Sequence, residues 1–250
     1  MSLYSDERVR AIRTLPQLIT GRGARPALHL CNLVASVQFS GLPTVALTEF
    51  RKTLAGTGQS TEKVVLHGEL HGFGAGSIGE MAALSSLVAA RRPRRILEFG
   101  TCLGCSTWHL WANAPGDALI TTVDLPFGVK VAGSTDPELQ GSRQIRPFLP
   151  KDSRVQLVEV DSRQFDPSGL GEVEFAFVDA GHSYECVKND TEKALSVLAR
   201  GGLLVWHDAT WREDGYGVNH YLKELRQAGR DVRLLAIGPF DYCGLAVLRV

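Results

Sequence analysis

The sequence predicts an α/β fold: a doubly wound, mostly parallel sheet of seven strands with an antiparallel closing strand and an N-terminal helical extension. Three observations carry this. From residue 78 onward, short apolar runs alternate with helical patterns, the signature of βαβ units. The first run, Ile96-Leu97-Glu98-Phe99, breaks into Gly100-Thr101-Cys102-Leu103-Gly104 and resumes as a helical segment at Ser106. Strand, glycine turn and helix start together offer unpaired N–H groups to an anionic or nucleoside ligand. At the other end, residues 231–237 and 243–250 read as two strands joined by Gly238-Pro239-Phe240-Asp241, which makes a closing antiparallel pair.

Composition narrows the function classes. The chain has 250 residues, 44% hydrophobic and 22% charged, with 27 basic and 27 acidic side chains. That balance fits a globular protein and argues against nucleic acid as a partner, because phosphate binding needs a basic surface. No run of 18 apolar residues occurs, so no transmembrane helix and no membrane partner are expected. Asp6 and Glu7 stand among the N-terminal arginines, without a secretory apolar core, and the expected location is cytoplasmic. Five cysteines are too sparse for a disulfide framework.

Residues 1–60 form the expected helical extension, with helices over 7–19, 28–39 and 45–54. Val9, Ile12, Leu15 and Leu18 give the first an apolar face. Gly56 to Ser60 is a linker, and residues 61–250 are the main domain. Residues 63–67 read as a short strand or extended piece. His67 and His71 stand four apart, but Gly68 and Gly72 weaken any helix between them, so a metal role is disfavoured. Ser77 precedes an apolar run over 78–90 with Glu80 three positions on, a capping box.

Acidic residues mark the ends of the later strands. Residues 118–123 form the second strand, which ends in Asp124 about 20 residues after the glycine turn, where an acid commonly holds a ribose diol. Residues 125–152 are a polar, proline-bearing insertion leaving the edge where ligands bind, so they are expected to wall the substrate pocket. The third strand, 155–160, ends at Asp161-Ser162. Residues 174–178 form a near-continuous apolar strand, as in a central parallel position, and end in Asp179-Ala180-Gly181-His182. A helix over 184–198, Gly201-Gly202 and a strand over 203–206 then deliver His207-Asp208. A helix over 218–228 precedes the closing pair. Cys102-Leu103-Gly104-Cys105 also matches a redox C-x-x-C, but Glu98, Gly100 and Asp124 have no place in that motif.

Glu98-x-Gly100-x-x-x-Gly104-x-Ser106 followed by Asp124 resembles the class I S-adenosylmethionine-dependent methyltransferases of the catechol O-methyltransferase type. The D-x-x-H-S-Y element, the helix, the glycine pair and the strand ending in His207-Asp208 resemble the bacterial group of macrocin-type O-methyltransferases and cephalosporin hydroxylase-like proteins. The resemblance implies strand order 3-2-1-4-5-7-6 and O-methylation of a small molecule. It implies cofactor contacts from Gly76, Ser77, Glu98, Gly100, Thr101, Cys102, Gly104, Ser106, Thr107, Asp124, Asp161, Ser162 and Asp179. It also implies N-terminal helices that cover the substrate or form a homo-oligomer contact, and a divalent cation such as Mg²⁺ on Asp179 and Asp208. Ala209 stands where catechol-type enzymes carry an amide ligand, and His207 where the antibiotic-pathway relatives carry an acid. His182, beside Asp179, is the first candidate for general base and His207 the second, because an imidazole moves protons near neutral pH. A silent cofactor-binding protein of the same fold and a nicotinamide oxidoreductase are the alternatives; the closing hairpin and the missing middle glycine oppose the second.

Overall fold

The computed structural model describes residues 41–54, 63–67, 76–126, 128–129, 146–210, 216–237 and 242–250. The helices expected over 7–19 and 28–39, His71 and most of the insertion lie outside the described residues. Residues 42–250 form one compact unit.

Eight strands make the sheet: β1 (Thr44–Ala46), β2 (Arg95–Phe99), β3 (Leu119–Asp124), β4 (Val155–Glu159), β5 (Val173–Val178), β6 (Leu198–Trp206), β7 (Arg233–Ala236) and β8 (Tyr242–Arg249). Among the described residues five α-helices accompany them: α1 (Leu47–Leu54), α2 (Ile78–Arg91), α3 (Cys105–Asn113), α4 (Tyr184–Val197) and α5 (Val218–Gln227). The strand order is β1-β7-β8-β6-β5-β2-β3-β4. Only β8 runs antiparallel to its neighbours, β6 and β7. Counted from β2 to β8, the seven expected strands follow the order 3-2-1-4-5-7-6.

The eighth strand is a correction. Residues 45–54 were expected to be wholly helical, yet Thr44–Ala46 pairs parallel with Leu234–Ala236 and the helix starts at Leu47. Thr44 and Val45 are β-branched and favour extended backbone, and pairing with β7 covers that strand's edge. Residues 44–54 thus join the sheet-bearing unit. Two smaller boundaries also move. Residues 63–67 are extended but pair with no strand; Val65 instead bonds the Asn113 amide through both its N–H and its C=O. Helix α4 ends at Val197 and β6 begins at once, running through Gly201-Gly202 where φ at Gly201 is 77°.

Alternation places the core on both faces of the sheet. Ile96, Ile120, Phe175, Phe177, Leu203, Val205, Leu235 and Val247 pack with Leu84, Leu87 and Val88 of α2 and Leu110 of α3. The opposite positions, including Phe99, Val178, Leu204 and Trp206, are also buried. Trp206 donates its indole N–H to Thr191 of α4, 2.8 Å away, which fixes that helix to the second face. Ser77 caps α2 and Glu80 completes the capping box.

The chain turns to opposite sides of the sheet from β2 and β5, so the crevice between their carboxyl ends is the switch point where ligands bind in such sheets. Gly100 sits there with φ 98°, and a Cβ added to it would lie 2.0 Å from the Asp179 carbonyl oxygen. The side chain is excluded by the neighbouring strand end as well as by the turn. Gly100→Ala is expected to cost at least about 2 kcal/mol in urea-unfolding stability, from strain at positive φ plus the collision. Gly116→Ala, with nothing within 4 Å of the new methyl, is expected to stay within about 0.5 kcal/mol of wild type. Equal losses in the two variants would refute the steric account.

Candidate functional site at the switch point

The glycine turn is shaped by backbone bonds. Gly100 N–H donates to Val123 C=O, and Gly104 N–H donates to Thr101 C=O. Cys102 has φ 46°, a left-handed conformation rare for a side chain, and its N–H donates to Asp124 Oδ2 at 3.0 Å. That bond ties the end of β2 to the end of β3. Gly104 opens α3 with φ 85°, and a Cβ there would lie 2.4 Å from Leu149 N. The last residues of the insertion therefore lie along the glycine turn, where Phe148 N–H donates to Leu103 C=O.

Several expected cofactor residues are turned inward beneath this turn. Glu98, Thr101 and Thr107 are buried. Thr101 and Thr122 share a hydroxyl bond of 2.6 Å, and Thr107 donates to Glu98 Oε2. Ser106 is also buried, beside the Glu98 carboxyl. Burial raises the Glu98 pKa to about 7, although the hydroxyls of Ser106, Thr107 and Thr122 work against that shift.

Asp124 faces the edge of the sheet. Its Oδ1 accepts from Leu125 N–H and its Oδ2 meets the Arg146 guanidinium at 3.1 Å. Arg146 also reaches Glu159, 2.9 Å away. Burial raises the Asp124 pKa, and Arg146 opposes that. Arg146 belongs to the polar insertion, and no local pattern in the sequence marks it as a partner of Asp124. Asp161 and Ser162 follow β4 on the far side of β3. Asp161 accepts from its own Arg163 at 3.0 Å.

The strand ends of β5 and β6 bring together the candidates for proton transfer and metal binding. His182 Nε2 lies 2.8 Å from Asp208 Oδ2 and 3.9 Å from Asp179 Oδ1. His207 Nδ1 lies 3.3 Å from Asp179 Oδ1 and 3.2 Å from Asp208 Oδ2. One donor atom each from Asp179, His182 and Asp208 all lie within 4.8 Å of one another. Asp208 reaches this position with φ 53°, a strained backbone of the kind that concentrates at functional sites. Tyr216 stacks on His182, ring centroids 4.7 Å apart.

The capping-box reading places Glu80 at the start of α2, as found, but gives no sign of its second role. Glu80 serves that box, accepting from Ser77 N–H at 2.8 Å, but it also accepts from Gly244 N–H at 2.9 Å and stands 3.4 Å from His207 Nε2. One carboxylate thereby joins α2, β8 and the end of β6. Burial opposes its ionisation, yet His207 and the two N–H groups lower its pKa to about 2. Burial likewise works against a charged His207, but Asp179 and Asp208 raise its pKa well above the usual value. Burial would raise the Asp208 pKa, yet His207 and His182 hold it far below the carboxylate range. Gly76 stands at the same place: a Cβ there would come within 3.4 Å of His207 Nε2. The His67 ring, by contrast, packs edge-on to Trp108 and Phe148.

Residues 97–209 match a family model described as a methyltransferase domain. A curated relative, an uncharacterised protein of Sinorhizobium fredii, is 32% identical over 146 residues, which is 56% of this chain and 16% of that protein. The chain thus spans about a sixth of the length of the curated relative it matches. An O-methyltransferase from Bacillus cereus, solved in complex with SAH, superposes with a TM-score of 0.53 at 17% identity, covering 88% of this chain and 90% of that one. A suspected O-methyltransferase from Klebsiella pneumoniae gives 0.53 at 17% identity, covering 99% and 97%. An SAH-bound methyltransferase from Podospora anserina gives 0.50 at 18% identity, covering 92% and 97%. At such identities the likeness is one of fold, and the fold is that of the class I methyltransferases. Among the described residues no helix is long and apolar enough to cross a membrane.

The buried Glu98 makes a pH prediction. Its folded pKa of about 7 lies above the ordinary value of 4.5, so the folded state keeps a proton that the unfolded chain releases. Its contribution to stability therefore falls as pH rises from about 4.5 to about 7, by about 3 kcal/mol in total. Asp190, raised to about 6 by burial, slopes the same way, so the test is a difference. Subtracting the urea stabilities of Glu98→Gln from wild type across pH 4.5 to 8 should isolate the Glu98 slope. Parallel curves would show that Glu98 ionises normally.

Proposed function

We propose that this chain, whose residues 97–209 carry a methyltransferase domain, transfers the methyl group of S-adenosylmethionine to a hydroxyl oxygen of a small molecule. The observation that carries the reading is the adjacency of two features at one switch point: the glycine turn at Gly100 and the polar cluster of Asp179, His182, His207 and Asp208. The SAH bound in the Bacillus and Podospora structures supports the choice of cofactor.

When bound, S-adenosylmethionine supplies a methyl group already activated on a sulfonium, so the protein's tasks are alignment and proton removal. Asp124 is the acid for the ribose hydroxyls, and Asp161 and Ser162 border the adenine. Gly100 and Gly104 let the backbone approach the ligand, with Gly76, Ser77 and Cys102 at its margins. Glu98, Thr101, Ser106 and Thr107 support the turn from beneath. His182 takes the acceptor's proton. Asp208, 2.8 Å from its Nε2, orients the ring and stabilises the imidazolium. His207, held between Asp179, Asp208 and Glu80, keeps its proton and fixes the two aspartates. The expected product partition is a methyl ether, SAH and one proton on the protein.

A second reading is favoured by the 4.8 Å cluster of donor atoms. Asp179, Asp208 and His182 would hold a divalent cation, which when bound lowers the acceptor hydroxyl's pKa and fixes its oxygen. The imidazole makes the donor set a poor match for Mg²⁺, which takes oxygen ligands, and a better one for Mn²⁺, Co²⁺ or Zn²⁺.

Calorimetry tests the cofactor site. SAH is expected to bind the wild-type chain, and Asp124→Ala is expected to weaken it by about 1.5–3 kcal/mol, the loss of a charged hydrogen bond. Unchanged affinity would remove Asp124 from the site. EDTA treatment separates the two proton routes. If His182 acts alone, methyl transfer to a panel of hydroxylated metabolites survives EDTA and is lost in His182→Ala. If a cation is used, EDTA abolishes transfer and Mn²⁺ restores it more fully than Mg²⁺.

A further inference from the structure

Lys193 lies on α4, in a region that carries none of the expected site residues. Its ammonium donates to three backbone carbonyls of one loop: Ser162 at 2.5 Å, Arg163 at 2.8 Å and Phe165 at 2.7 Å. A lysine has three N–H donors, so all of them go to this single turn. Asp190, less than one helical turn earlier, is fully buried and faces the same loop, with its carboxyl against the Ser162 hydroxyl. Asn189 donates to Asp190 Oδ1 at 2.7 Å. A charged donor that binds three carbonyls of one neighbouring loop restrains the path of that loop, because charge-assisted hydrogen bonds are the strong ones.

The loop so held is the one at the carboxyl end of β4. Val160 N–H donates to Asp124 C=O, and Gln164 N–H donates to Asp161 C=O. The Phe165 ring packs edge-on to Phe99 at the end of β2, centroids 6.0 Å apart. Lys193 therefore grips a turn flanked by Asp124 on one side and by the strand that feeds the glycine turn on the other. The opposite end of the same helix starts at Ser183, which caps α4 directly after His182. From Tyr184 to Lys193 the helix runs ten residues, about 15 Å, and α4 is anchored to β6 by the Thr191 bond to Trp206. A single rigid element thus links the proton-accepting centre to the loop beyond Asp124.

We propose that Lys193 is a positioning residue for the nucleoside end of the cofactor: its ammonium fixes the turn at residues 161–165 so that Asp161 and Ser162 meet the adenine. This rests on the cofactor reading above. A lysine with a merely structural role would affect unfolding without a preference for one end of the ligand. The positioning role makes the affinity loss follow the nucleoside.

The test is calorimetry with SAH and with adenosine on wild type, Lys193→Met and Lys193→Arg, beside amide hydrogen exchange. Lys193→Met keeps the apolar stem and removes the donors. It is expected to weaken both ligands by the same factor, at least tenfold, while Lys193→Arg stays within threefold of wild type. Exchange is expected to quicken at residues 161–166 in Lys193→Met and to slow there when SAH binds wild type. Wild-type affinity in a folded Lys193→Met would overturn the proposal. If that variant does not fold, wild-type exchange decides: absence of SAH protection at 161–166 in a chain that binds SAH would overturn it as well. A wild-type chain that binds no SAH would instead count against the cofactor reading, and unchanged exchange of that loop in Lys193→Met would then overturn the clamp separately.

Discussion

The close approach of the Gly100 turn to the Asp179 backbone is the constraint on which the site depends. Asp179 N–H donates to Phe99 C=O at 2.8 Å, the last bond between β2 and β5. Beyond it the two chains diverge, one into the glycine turn and one toward His182. No side chain fits between them at residue 100. The strand that carries the cofactor turn and the strand that carries Asp179 are therefore held in one fixed relation. A methyl donor and an acceptor oxygen need this kind of fixed geometry, because alignment is most of what the protein contributes.

Around that contact the polar groups are organised by shared charge. Glu80 accepts from α2 and from β8 and neutralises the outer edge of His207. His207 in turn sits between Asp179 and Asp208. Two carboxylates side by side would repel each other, and one would protonate. The imidazolium between them offsets that repulsion and, with His182, holds the Asp208 carboxyl far below the carboxylate range. Asp208 takes up positive φ to complete the arrangement, and Ala209 N–H bonds Gly244 C=O directly after it. The antiparallel β8 does more than close the sheet: through Gly244 it holds both Glu80 and the turn after Asp208.

Much of this was legible along the chain. The apolar runs at Ile96, Phe175 and Leu203 are short and nearly continuous, which only a strand buried on both faces tolerates. Gly100 and Gly104 announce positive φ, and Ser77 with Glu80 announces a helix start; all of these are local signals. The strand at Thr44–Ala46 was missed because three residues at a sheet edge carry no period, and the following apolar residues suit a helix equally well. Arg146 and Lys193 were missed for a different reason. An arginine in a polar insertion and a lysine on an amphipathic helix look solvent-exposed in sequence. Their roles follow from what they meet in space, an aspartate 22 residues earlier and a loop 28 to 31 residues earlier.

The order of the core strands was implied by the family resemblance; the sequence by itself determined the class of fold and the acids at the strands' carboxyl ends. Those properties come from residue periodicity and from the backbone preferences of glycine and serine, which act within a few positions. The tertiary structure alone decided which acids face inward and which face the crevice. Glu98 and Asp124 are each an acid at a strand end, yet one is sealed beneath the turn by Thr107 and the other meets Arg146 at the edge. The same holds for His182 and His207: both follow apolar strands, but it is the placement against Asp179 and Asp208 that gives the second its fixed proton. Burial and charge partners set ionisation, and both are fixed by elements far apart in the chain.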